Sequence, residues 1–332
     1  MLCTQPERGG AGGLPINNQD AQLILRKNKM SSSFPVEREY DRCVTALDRA
    51  GILTLLPKSG IIGVVGMDGK EYPRPTRKQI VELFDSNKEL VGRKIKQGFN
   101  RLELTPMAMP TPVLIERMSA AVLKHAADRK IYQARRSNSD RLVHVRVNPE
   151  KTIWVWETLR KALDKDEIVY FAKEYSINHH GQTKLQAIAD GSICAVPGWS
   201  VGLVEDMPFM PGQGEGRTVG GRKQLEIGSS PREYLQTLQT DAYRGETGKT
   251  LEDFIASFLV RLETTNEVSN DVRDDNALWC LGQYMKITYA EVVPTGRWIG
   301  SVGRVRLDMH RMGNKLCTKS WGASTTVRLL RP

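Results

Sequence analysis

The chain has 332 residues, 26% charged and 40% hydrophobic, an ordinary balance for a globular protein and length enough for two compact domains. Its formal net charge of +10 favours anionic partners, nucleic acid included. A membrane partner is excluded because nothing approaches the ~18 apolar residues of a membrane-spanning helix. The first residues also lack the apolar core of a secretory signal. Five scattered cysteines (Cys3, Cys43, Cys194, Cys280, Cys317) show no Cys-x-x-Cys spacing, which argues against a disulfide framework or structural zinc. They read as reduced core thiols of a cytoplasmic protein that needs no metal or cofactor.

Residues 1–33 carry Gly9-Gly10, Gly12-Gly13 and Ser31-Ser32-Ser33 without a sustained apolar period, and are expected to be disordered. Residues 34–195 read as a mixed α/β region. Val36, Tyr40, Cys43, Val44 and Leu47 share a helix face that stops at Gly51. Ile61 to Val65 reads as a short buried strand, and Asp68-Gly69 as a tight turn. A helix runs from Thr76 to about Asn87, with Leu90 to Phe99 continuing it or forming another. Thr111-Pro112 predicts the cap and first turn of a helix to about Ala127. Leu142 to Val147 alternates as a strand, whereas Thr152 to Trp156 is a strand or the opening of a helix. Ile168 to Phe171 and Ile193 to Val196 read as strands flanking a short helix from Gln182 to Ala189.

Residues 196–332 change texture. A strand from Gly198 to Val204 leads to a Pro/Gly loop, then to helices capped at Ser230 and Thr250. Leu278 to Leu281 resumes an apolar run before a glycine-rich terminal region. Gly245 to Thr250 echoes a phosphate loop, but two residues rather than four separate its glycines, so Thr250 reads better as a helix cap. The Gly212 to Lys223 loop lacks dinucleotide spacing, and an enzyme built on it is the least supported reading. His179-His180 has no third ligand at metal spacing, and His125 reads as a packed histidine. Trp199 and Trp279 read as core; for Trp298 and Trp321, surface recognition and core are equally open.

From Lys286 onward nine bases face only Glu291 and Asp308, while Glu205 to Asp275 leans acidic, so the two segments can also neutralise each other. Within that basic end, Gly296-Arg297-Trp298, then Arg304-Val305-Arg306-Leu307-Asp308, then Gly322 leading to Val327-Arg328-Leu329, resemble the end of C-type-lectin-like domains of the formylglycine-generating-enzyme type. The same fold carries the variable proteins of diversity-generating retroelements, whose ligand contacts lie in this region. The stretches Val204 to Pro208 and Gly220 to Leu225 also resemble bacterial proteins of no established activity. The sequence departs from the family at Thr295, where the family has a second glycine, and in the four residues between Gly322 and Val327. It also lacks the close cysteine pair of catalytic members, so the resemblance implies binding rather than catalysis.

The expected architecture is therefore α+β, with a C-type-lectin-like domain at 196–332. Trp298, Arg304, Arg306, Asp308, His310, Arg311, Asn314, Lys315, Lys319 and Trp321 would form a surface for a protein or other macromolecular ligand. Aromatic anchors with adaptable hydrogen-bonding groups suit that task. Nucleic acid bound by the basic residues from Arg74 to Arg146 is the alternative.

Overall fold

The computed structural model describes residues 34–135, 138–191, 193–207, 209–269, 277–288, 290–312 and 320–331, and the expected tail at 1–33 lies outside them. Helices form where short-range signals predict them. α1 (Val36–Arg49) buries Tyr40, Cys43, Ala46 and Leu47 along one stripe. α2 (Arg77–Ser86) is closed by Thr76, whose hydroxyl accepts from the Gln79 N–H, and α3 (Lys88–Lys96) restarts after a break at Asn87. α4 (Thr111–Ala127) has Pro110 at its cap, not Thr111. The Thr111 hydroxyl instead donates to Glu252 at 2.5 Å. α5 (Glu157–Asp164), α6 (Lys184–Ala189), α7 (Pro231–Leu238) and α8 (Leu251–Thr265) follow, and Thr183, Ser230 and Thr250 close capping boxes on the last three.

The strands make several sheets. β1 (Thr54–Leu55), β2 (Ile62–Val65) and β3 (Glu71–Pro73) form a small antiparallel sheet. β2 is only half buried, with Ile62 and Val65 exposed, contrary to the buried strand expected. β4 (Phe99–Thr105) falls partly where a helix was an option. It is buried on both faces from Leu102 onward, so it shows no alternation to read. The hairpin β5 (Tyr132–Arg135) and β6 (Asn138–His144), then β7 (Ile153–Val155) and β8 (Val169–Tyr170), complete the first part of the chain. The expected strand at Ile193 to Val196 is absent; Val196 makes only an isolated bridge to Trp199 across Pro197 and Gly198.

β9 (Ser200–Glu205), the short pair β10 (Thr218–Val219) and β11 (Arg222–Lys223), and β12 (Glu246–Gly248) come next. They are followed by β13 (Ala277–Trp279), β14 (Gln283–Ile287), β15 (Ala290–Ile299), β16 (Arg304–Arg311), β17 (Trp321–Ala323) and β18 (Thr325–Arg328). One sheet has the order β12-β18-β9-β4; the other, of seven strands, is built around β15 and also takes β7 and β8. β4 pairs with β9, β7 with β16, and β8 with β14. Strands from either side of residue 195 thus share both sheets, and the division expected there does not separate them. Residues from Val36 onward form one compact α+β unit. No helix among the described residues is long and apolar enough to cross a membrane.

α8 packs against α1, α4, β4 and β15. Its first turn carries Glu252 and Asp253 into the interior, both fully buried. Glu252 accepts from Lys184 at 2.8 Å, Tyr170 at 2.7 Å and Gln283 at 3.0 Å, in addition to Thr111. Asp253 accepts from Thr105 at 2.7 Å, from its own cap at Thr250 and from Arg328. Burial alone would raise both carboxyls, but Lys184 and Arg328, with these hydrogen bonds, hold each below its ordinary value.

Lys184→Met strands a buried carboxylate and should cost about 3–5 kcal/mol of unfolding free energy by urea titration. The double change Lys184→Met with Glu252→Gln should recover a large part of it. A carboxyl whose folded pKa lies below its unfolded value stabilises fully above the unfolded value, about 4, and loses that stabilisation as pH falls through the folded one. The urea midpoint of the natural chain should therefore fall steeply in acid, and less steeply in the double variant.

Candidate ligand-binding face

β15 is the spine of the seven-stranded sheet. Along one edge it pairs with β16 from Val292↔Arg311 to Ile299↔Arg304. Along the other it pairs first with β14 and then with β13. Pro294 sits where one partner gives way to the next, so its missing N–H disrupts neither ladder. Gly296 lies against α8, and an added Cβ would stand 2.7 Å from the Phe254 ring. The β15–β16 turn closes on Gly303 (φ +62°), where a Cβ would meet the Arg146 carbonyl.

Successive side chains of a strand point to opposite faces. On β16, Val305, Leu307 and Met309 are buried toward the core, leaving Arg304, Arg306, Asp308 and His310 on the other face. Across β15 that face continues through Ile299, Arg297, Thr295 and Val293. On the far side, β7 places Trp154 beside Arg306. β13 and β17 contribute Trp279 and Trp321.

Like charges on directly opposed residues repel, and Arg297 faces Arg306. Asp308 relieves this, since its Oδ2 lies 2.6 Å from Arg306, 3.8 Å from Arg297 and 3.3 Å from His310. Burial would raise its carboxyl, but His310, the Met309 N–H and Arg306 hold it below the usual range. Each guanidinium also lies over an indole: Arg306 is 4.4 Å from the Trp154 ring centroid, and Arg297 is 4.6 Å from that of Trp321. His310 meets Trp321 edge-on at 4.4 Å, and Trp321 meets Trp279 at 4.7 Å. The result is a pair of arginines, each stacked on a tryptophan, with Asp308 between them.

The expected site residues divide accordingly. Arg304, Arg306, Asp308, His310 and Trp321 are brought together on this face, where Arg304, Arg306 and His310 are partly exposed. Asp308 and Trp321, expected at the surface, are buried, Trp321 in an apolar cluster with Trp279, Val293 and Met312. Arg311 is exposed at the end of β16. Trp298 is not on it. Opposite Val305, it is fully buried on the side packed against α8, because the register that turns Arg297 toward Asp308 turns Trp298 to the opposite side of the sheet. Asn314, Lys315 and Lys319 lie outside the described residues. Trp154, Thr295 and Arg297 join the face without having been among the expected site residues. For Trp154 no local signal exists, since a parallel pairing joins it to a strand far away in the chain.

Other candidates resolve into packing. Thr250 caps α8, and Lys249 pairs with Glu103 at 2.6 Å and with Ser257, so the phosphate-loop letters build a core contact. Lys249, Glu103 and Ser257 line a cleft of about 440 Å³ with Arg101, Arg261 and Phe254. Arg222 of the glycine-rich loop is buried on Glu246 at 2.7 Å. His125 lies 3.1 Å from Glu263, and no group of His, Cys, Asp or Glu among the described residues could hold a metal ion. The Cys43 and Cys194 thiols are pushed up to about 12 by burial, and that of Cys280 well above its usual value. Among the bases from Arg74 to Arg146, Arg77 pairs with Asp41, Lys94 with Glu246, and Arg101 with Glu39 and Asp206.

No family model, curated protein or solved structure matches the chain.

Trp298→Ala should cost about 3–5 kcal/mol by denaturant titration, as a large core truncation does. Arg306→Ala, at a side chain 34% exposed, should change stability by no more than about 1 kcal/mol. Alkylation by iodoacetamide before unfolding should leave Cys43, Cys194 and Cys280 unmodified by peptide mass spectrometry, since buried thiols with raised pKa present no thiolate.

Proposed function

We propose that the chain is a ligand-binding protein rather than an enzyme, with a C-type-lectin-like fold to which residues 196–332 contribute most strands and the earlier strands β4, β7 and β8 are joined. Its ligand is a protein, held by the outward face of β16 and the residues that follow it. In this reading the segment is varied as in the variable proteins of diversity-generating retroelements. The observation that carries the reading is the two-sidedness of β16: an apolar comb of Val305, Leu307 and Met309 anchors it, while Arg304, Arg306 and His310 on the other side are partly exposed. Arginine and tryptophan are the residues binding hot spots favour, and pre-ordered side chains lose little entropy on association.

Three further features support it. Three positions of the segments that carry the resemblance, Gly296, Leu307 and Val327, are packed against α8 or wholly buried. Cys280 is a core side chain, so no thiol is accessible among the described residues of this region. Pairing of Arg77, Lys94 and Arg101 with carboxylates weakens the alternative of a nucleic-acid surface in the N-terminal region.

The test is a display library of the full chain with Arg304, Arg306, His310 and Arg311 randomised, selected against unrelated purified proteins. Most clones should display a folded chain, and specific binders should emerge. Wholesale loss of folded display, or no binder to any target, would sink the reading. Diversification has its own check in the flanking nucleotide sequence, which should encode a reverse transcriptase and a near-identical repeat mismatched at adenines.

A further inference from the structure

Arginine is the abundant charge on the Asp308 face of β15 and β16. Asp308 lies near Arg306 and Arg297, and Arg304 has no carboxylate partner among the described residues. Asp308 takes up the Nε and Nη2 side of Arg306 through one oxygen, and no acceptor among the described residues meets Nη1. The Nε of Arg304 is buried with no acceptor, as is the Thr295 hydroxyl beside Asp308. Buried donors without partners are costly and are normally satisfied. A guanidinium with one edge fixed by a carboxylate and one face resting on Trp154 is already oriented for a second, planar acceptor.

We propose that this face takes a carboxylate-bearing segment of a partner protein, with Asp or Glu side chains received by Arg306 and Arg304. The proposal rests on the recognition reading above and adds the chemical class of the ligand. Carboxylates fit better than a nucleic-acid backbone because the arginines occupy one short stretch of sheet, not the long basic track that phosphate neutralisation along a strand requires.

The test uses the full chain and a fluorescent oligoglutamate peptide, followed by anisotropy, with an oligonucleotide of similar length in a parallel arm. Oligoglutamate should bind at low ionic strength and weaken as salt rises. Arg304→Ala with Arg306→Ala should lower its affinity by about tenfold or more. A control with the same change in net charge, Lys78→Ala with Lys88→Ala on exposed helix surface, should leave it nearly intact. Thermal melts of both double variants establish that each is folded. Equal loss in the two variants, absence of oligoglutamate binding at low salt, or stronger oligonucleotide binding that depends on Arg304 and Arg306 would each overturn the proposal. Binders recovered from the randomised library despite such a result would leave the recognition reading standing and remove only the acidic ligand.

Discussion

Glu252 and Asp253 place adjacent negative charges in the interior at the first turn of α8, and much of the molecule is arranged to receive them. An isolated carboxylate in such a place is prohibitively unfavourable, so it exists only with a cation and a full set of donors around it. The donors come from elements far apart in the chain: Thr105 from β4, Thr111 from α4, Tyr170 from β8, Lys184 from α6, Gln283 from β14 and Arg328 from β18. Any arrangement that misplaces one of these elements leaves a charge unpaired. Specificity of this kind explains why the first and second halves of the chain cannot be separated cleanly: Lys184 and Thr111 belong to one half, Glu252 and Gln283 to the other.

The same arrangement stiffens the platform beneath β16. Arg328 ties β18 to β9 through Ser200 and to α8 through Asp253, while α8 presses Phe254 against Gly296 of β15. β15 is held on both edges, and β16 is in turn clasped between β15 and β7. The arginines of β16 therefore stand on backbone with little freedom to adjust. Their own side chains are limited further by the indoles below them and by Asp308 between them.

What could be read in advance depended on the range of the interactions. Helices opened by Thr76, Ser230 and Thr250 were legible because a capping box is complete within four consecutive residues. The group Arg304, Arg306, Asp308 and His310 was legible as well, since strand alternation sorts it from Val305 and Leu307 without outside information. Trp298 was not. Arg297 and Trp298 are neighbours, and which one turns to the Asp308 side of the sheet depends on a register set by β16 and β13. β4 was missed because strands covered on both faces carry no alternation. Glu252 and Asp253 resemble the solvated acids common in first turns of helices, and nothing nearby in sequence announces Lys184 or Arg328.

The comb of Val305, Leu307 and Met309 beneath β16 also separates two kinds of sequence change. Replacing a side chain on the outward teeth alters what the surface presents while the backbone stays in place. Adding or removing a single residue between Gly303 and Arg311 reverses every position beyond it, bringing arginines inward and leucine out. The segment is thus free in composition but frozen in length. A lineage that explores new surfaces here does so by exchanging letters at alternate codons, and insertions belong beyond the strand.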